Sequence, residues 1–181
     1  MQVRTQLGII GVIAVGWSAG NITVVRPVMA EAPQTDRMSL AALESMVAGD
    51  NDNVQAGRAI SARYLELGMP RLVVDTVTRM TAEVQHDARV AFNVAVAYER
   101  LGDVQAALAR VNGAMNRCTT VPLELASGVG CDVRTTTDLA LEGAALDRMI
   151  SWNITPLTDP QRAAIAHELA PRPVRIGHMT F

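Results

Sequence analysis

Tyr64, Leu67 and Gly68 recur 34 residues later as Tyr98, Leu101 and Gly102, and the 181-residue chain contains no other tyrosine. A fixed period of this length marks stacked supersecondary units, about one helix-turn-helix per repeat. One helical hairpin cannot bury its own apolar face, so the period also predicts neighbours that cover it. The phase extends backwards: Leu40, Leu43 and Met46 precede Val74, Val77 and Met80 by 34 residues, and these precede Leu108, Val111 and Ala114 by 34 more. Ser39 to Arg117 therefore reads as half a unit followed by two whole ones.

Local punctuation agrees with this phase. Leu40, Leu43, Met46 and Val47 share one helical face, and Gly49 is predicted to end that helix in a left-handed cap. Residues 50–53 are rich in capping types, after which Ile60, Tyr64 and Leu67 line the next helix up to Gly68. Pro70 suits the first position of a third helix with Leu72, Val73, Val77 and Met80 on its apolar face. His86 or Asp87 opens a fourth, carrying Val94, Ala95, Tyr98 and Leu101, and Asp103 caps a fifth, with Ala107, Leu108, Val111 and Ala114 inward.

From Val54 to Arg117 the chain resembles the tetratricopeptide repeat family. Where that family has small residues at close helix crossings, an aromatic filling the gap, a turn glycine and alanines on the second helix, this chain has Ala95, Tyr98, Gly102, Ala107 and Ala114. The first copy has Ser61, Tyr64, Gly68, Val73 and Met80, the last two larger than the family prefers. The resemblance implies an all-α fold: antiparallel helix-turn-helix repeats over 38–117, stacked as a short right-handed solenoid with a divergent C-terminal helical cap. It also implies that the first helix of each unit lines a concave groove. The partner-binding residues would then be Gln55, Arg58, Ala62 and Glu66 with Arg89, Phe92, Asn93 and Val96. Arginine and aromatic side chains are common binding anchors, and Arg58, Arg89 and Asn93 could hold an extended peptide. The carboxylate-gripping version of the family has an asparagine where this chain has Ala62, so that specificity is not carried over.

After Arg117 the period fails, because the slot for the next tyrosine is Asp132. Residues 118–132 read as an insertion bounded by the chain's two cysteines, Cys118 and Cys131. An even number at this spacing fits one disulfide in an oxidising compartment and does not fit zinc ligation. Gly128-Val129-Gly130 would supply the bend that brings Cys131 to Cys118. A helix from Val133 to Trp152 and a short one from Asp159-Pro160 to Leu169 form a divergent terminal unit over 133–170, and Pro171 and Pro173 end it. The tail 171–181 alternates apolar and polar residues, as an extended segment would.

Residues 1–30 read as a leader: Arg4, an apolar run from Leu7 to Val15, and Val28-Met29-Ala30 ahead of a cleavage site. A cut after Ala32 fits as well, and 31–37 would be a linker. The competing reading is a retained anchor over 7–25. Together with the cysteines, the leader predicts a periplasmic or otherwise exported protein; the anchor predicts a membrane-tethered one facing the same compartment. A formal charge of −2 with interspersed signs gives no basic stripe, so nucleic acid is not an expected partner.

No nucleophile elbow, phosphate-binding loop or zinc helix is present. His86, His167 and His178 are scattered, and the carboxylate pairs Glu44 with Asp50 and Asp138 with Glu142 read as solvated helix faces. The expectation is a non-enzymatic protein with no cofactor and no metal site, an adaptor for a protein or peptide, with self-association through a free repeat end also open. A structural accessory subunit of a membrane complex is the alternative.

Overall fold

The three turns that close this fold are the same turn. A computed structural model describes residues 38–126 and 128–171. The leader or anchor at 1–30, the linker at 31–37 and all but the first residue of the tail at 171–181 lie outside the described residues. Nine helices are found among the described residues, with no strand. They are α1 (Leu40–Gly49), α2 (Val54–Glu66), α3 (Pro70–Thr78), α4 (Ala82–His86), α5 (Ala88–Arg100), α6 (Val104–Thr120), α7 (Leu123–Ala126), α8 (Val133–Ser151) and α9 (Pro160–Glu168).

Helices α2 and α3, α5 and α6, and α8 and α9 pair as hairpins. In the first turn, Gly68 has φ +70° and donates to the Leu65 carbonyl at 3.1 Å, while Met69 donates to the Tyr64 carbonyl at 2.8 Å. In the second, Gly102 has φ +83° and donates to Glu99, while Asp103 donates to Tyr98 at 2.9 Å. These paired bonds satisfy the carbonyls that a helix end leaves open, and the left-handed residue is normally glycine. The third turn has the same two bonds, from Asn153 to Ile150 and from Ile154 to Met149, with Asn153 at φ +53°. Asparagine is the side chain that best tolerates this conformation after glycine. The hairpin of α8 and α9 thus closes by the same turn as the two hairpins before the insertion.

Consecutive hairpins touch in a repeating way. Helix α3 packs on α5 as α6 packs on α8, and the first helices meet as α2 with α5 and α5 with α8; α1 packs on α2. The core at these seams holds Leu43, Ile60, Tyr64, Val73, Val77, Val94, Val111, Leu139, Leu146 and Met149, each no more than 4% exposed. Each such side chain contributes roughly 1.5–3 kcal/mol by leaving water. Small residues at Ala91, Ala95, Ala107 and Ala114, all buried, let the helix axes approach closely. Side-chain caps set the helix starts: Asn53, Asp87, Asp103, Asp132 and Asp159 each accept from backbone N–H groups in the following turn.

Three local expectations are corrected. Gly49 is not left-handed; α1 runs through it and stops at an extended Asp50, whose N–H reaches the Met46 carbonyl. The third helix ends at Thr78, leaving Leu72 exposed, and a separate short helix, α4, follows. Gly57 makes room for α4: a Cβ there would stand 2.5 Å from Val84 and 3.3 Å from Met80. Finally, α6 continues through Cys118 to Thr120, which narrows the insertion to 121–131.

Candidate functional site

Three polar residues expected to grip a partner are engaged within the chain. The Arg58 Nε donates to Asp87 Oδ1 at 3.0 Å, and its Nη2 bonds both Asp87 Oδ2 and, at 3.0 Å, the Gly128 carbonyl. Arg89 pairs with Asp132 through Nε at 3.1 Å and Nη2 at 2.6 Å. Asn93 donates from Nδ2 to the buried Ser61 hydroxyl at 2.9 Å, joining α5 to α2. Of the others, Gln55 and Glu66 are exposed, Glu66 lying 3.3 Å from Arg63, while Ala62, Phe92 and Val96 are half-buried along α2 and α5.

The insertion and the residue that follows it bring partners to the first two arginines, Gly128 to Arg58 and Asp132 to Arg89. Cys118 and Cys131 form a disulfide, and Val129 accepts a hydrogen bond from the Ala88 N–H at 3.0 Å. Gly130, at φ +76°, lies against Asp87, so the segment covers the start of α5. Asp132 then caps α8 through the Arg134 and Thr135 N–H groups. Partial burial raises the Asp132 pKa, but hydrogen bonds from Arg89 and from the Thr135 N–H and hydroxyl outweigh that and lower it to about 2.

A second cluster was not foreseen. Glu99 near the end of α5, Glu142 in the middle of α8 and His167 on α9 converge where the second and third hairpins meet. The expectation that Glu142 is solvated is overturned, because its side chain is 8% exposed. His167 Nε2 lies 2.7 Å from Glu99 Oε1, and Nδ1 lies 4.0 Å from Glu142 Oε2. Glu142 Oε1 is buried with no hydrogen-bond partner. Desolvation, joined by the Glu99 charge and by a hydrogen bond with Glu99 that favours the protonated carboxyl, and opposed by His167, pushes the Glu142 pKa up to about 8. The Glu99 hydrogen bond raises that of His167, against its own partial burial.

This cluster borders a cavity of about 270 Å³ lined by Phe92, Asp138, Leu141, Glu142, His167 and Ala170. Phe92 is thus the expected groove residue that the fold brings beside the titratable cluster; Arg89, and Arg58 of α2 through its pair with Asp87, lie at the start of α5, whereas Glu99 is near its end. The helix face that carries Asp138 and Glu142 was legible in sequence, but its burial depends on where α9 lies. One nitrogen or oxygen from each of Glu99, Glu142 and His167 lies within 4.8 Å of the others, which is the residue chemistry and spacing that could hold a cation. Among the described residues no helix is long and apolar enough to cross a membrane. Compared with protein-family models, with curated proteins and with solved structures, the chain matches none.

Proposed function

We propose that this protein is an exported, non-enzymatic helical-repeat adaptor of the tetratricopeptide type, which binds a protein or peptide partner along the row of first helices α2, α5 and α8. The observation that carries this reading is the lateral packing of α2 on α5 and α5 on α8, each closed by the same left-handed turn. Such a row makes one continuous surface from equivalent helices, the arrangement by which stacked repeats present extended binding faces. With Arg58, Arg89 and Asn93 tied internally, the contact falls to the half-buried Ala62, Phe92, Val96 and Leu141. Aromatic and aliphatic side chains in partly desolvated positions are the usual anchors of such contacts. Export is supported by the Cys118–Cys131 disulfide, since such bonds persist in oxidising compartments.

The test is site-specific photo-crosslinking in native envelopes, with the crosslinker placed at Phe92 or Val96 and, as control, at the exposed Arg71 on α3. A defined adduct from the first two positions and none from Arg71 supports the face. The reverse pattern removes it.

A further inference from the structure

Matching turns allow the three hairpins to be compared slot by slot. Eleven residues before Gly68, Gly102 and Asn153 stand Gly57, Ala91 and Glu142, all buried. Eight residues after the helix caps Met69, Asp103 and Asp159 stand Val77, Val111 and His167. Three residues before the turns stand Leu65, Glu99 and Ile150. Each member of the cluster therefore occupies a slot that the other two hairpins fill with glycine, alanine or a branched aliphatic residue. Packing alone does not ask for two carboxylates and an imidazole here, and a buried carboxylate costs stability unless something pairs with it.

The pairing is incomplete. His167 serves Glu99 at 2.7 Å and lies 4.0 Å from Glu142 Oε2, while Glu142 Oε1, on a side chain more than nine-tenths buried, receives no donor. Either a proton on this carboxyl, shared with Glu99, or a cation supplies what that oxygen lacks. We propose that Glu99, Glu142 and His167 form a binding site for a divalent transition-metal ion of the zinc class, which ties the third hairpin to the second.

The donor set selects the class. One imidazole with two carboxylates suits a borderline ion such as Zn²⁺, whereas Mg²⁺ prefers all-oxygen surroundings and keeps its waters. Metal–ligand distances of about 2.0–2.2 Å in a tetrahedron place ligand atoms roughly 3.4 Å apart. One ligand atom from each of the three residues lies within 4.8 Å of the others, a spacing that side-chain rotations can tighten to that value. His167, 39% exposed, has the freedom to make them. Three protein ligands leave a fourth position for water, and the adjoining cavity offers room for it.

The experiment is calorimetric titration of the untagged, chelator-treated full chain with ZnCl₂ alone at neutral pH, repeated with MgCl₂ alone. Saturable uptake of one Zn²⁺ is expected, lost in Glu142→Gln and in His167→Asn and kept in His86→Ala, which alters a histidine outside the cluster. Zn²⁺ should raise the unfolding midpoint of the parent chain and leave that of Glu142→Gln unmoved. Circular dichroism before titration establishes that each variant is folded; because His167 is partly exposed, His167→Asn keeps the test open even where Glu142→Gln does not fold. Absence of saturable Zn²⁺ uptake, equal uptake by the folded variants, or saturation by Mg²⁺ in preference to Zn²⁺ would each overturn the proposal. The first of these would leave a protonated Glu142 carboxyl as the occupant.

Discussion

Arg58 on α2 and Asp87 at the head of α5 form a two-pronged ion pair in which the carboxylate is 2% exposed and the guanidinium 13% exposed. The same carboxylate accepts the Arg89 and Val90 N–H groups, so one aspartate both starts α5 and fastens it to the preceding hairpin. Gly128 adds its carbonyl to Arg58 from the insertion. Three separate stretches of chain thus meet on one pair of side chains.

Removing one partner of a buried ion pair leaves the other uncompensated, which typically costs about 3–5 kcal/mol. Arg58→Ala is expected to lose about 3 kcal/mol of unfolding free energy in a urea titration, with Arg58→Lys losing less because one prong is kept. A double-mutant cycle with Asp87→Asn should return a coupling well above 1 kcal/mol, more than an exposed pair yields.

Gly130 and Gly49 should respond oppositely to alanine. At Gly130, φ is +76° and a Cβ would lie 2.9 Å from Asp87 Oδ2 and 3.1 Å from the Arg89 nitrogen. Backbone strain alone costs roughly 1–2 kcal/mol, and displacing Asp87 adds to it. At Gly49, helical and with nothing within 4 Å of an added Cβ, alanine should be neutral or stabilise by up to about 1 kcal/mol. Thermal unfolding of the two variants side by side reads the contrast.

The disulfide closes a loop of separation 13 and anchors the insertion to the end of α6. The chain-entropy relation gives about 3 kcal/mol for a loop of this size. Cys118→Ser with Cys131→Ser should lower the urea midpoint accordingly, and limited proteolysis should cut first within residues 121–130. Cleavage elsewhere before that segment would show that the insertion is held by its other contacts.

Asp132 carries a pH signature. Its folded pKa of about 2 lies below the ordinary 3.8, so its contribution to stability is complete above pH 4 and disappears as pH falls through 2. The full shift is discounted because Arg89 is 50% exposed to solvent. Parent and Asp132→Asn should differ by about 1 kcal/mol at neutral pH, and the difference should close in acid. A gap that persists at pH 2 would assign the effect to helix capping alone.

The helix starts and the first two turns were legible because each has a local cause: a capping aspartate or asparagine, Pro70, and glycines at 68 and 102. The two helices of the terminal unit were legible but the likeness of their turn to the first two was not, because Asn153 holds the left-handed position in place of glycine and α8 has 19 residues against 13 in α2 and α5. Short helix α4 was hidden for a non-local reason, the absence of a side chain at Gly57. The cluster was less visible still. Glu99 and Glu142 each look like ordinary helix polarity until the apolar slots of the neighbouring hairpins are set beside them, and His167 lies 68 residues along the chain from Glu99, the carboxylate it bonds. The residues expected to bind a partner lie on α2 and α5, but sequence could not report that Arg58 and Arg89 have partners 29 and 43 residues away.

The insertion has a consequence for the order in which the molecule assembles. Contacts inside each hairpin join residues a few turns apart, and the loop-closure cost of forming them is small. The bond from Arg58 to Gly128 spans 70 residues and requires that the first two hairpins already be docked. The segment over the head of α5 is thus expected to settle late in folding and to open early, without opening the hairpins themselves.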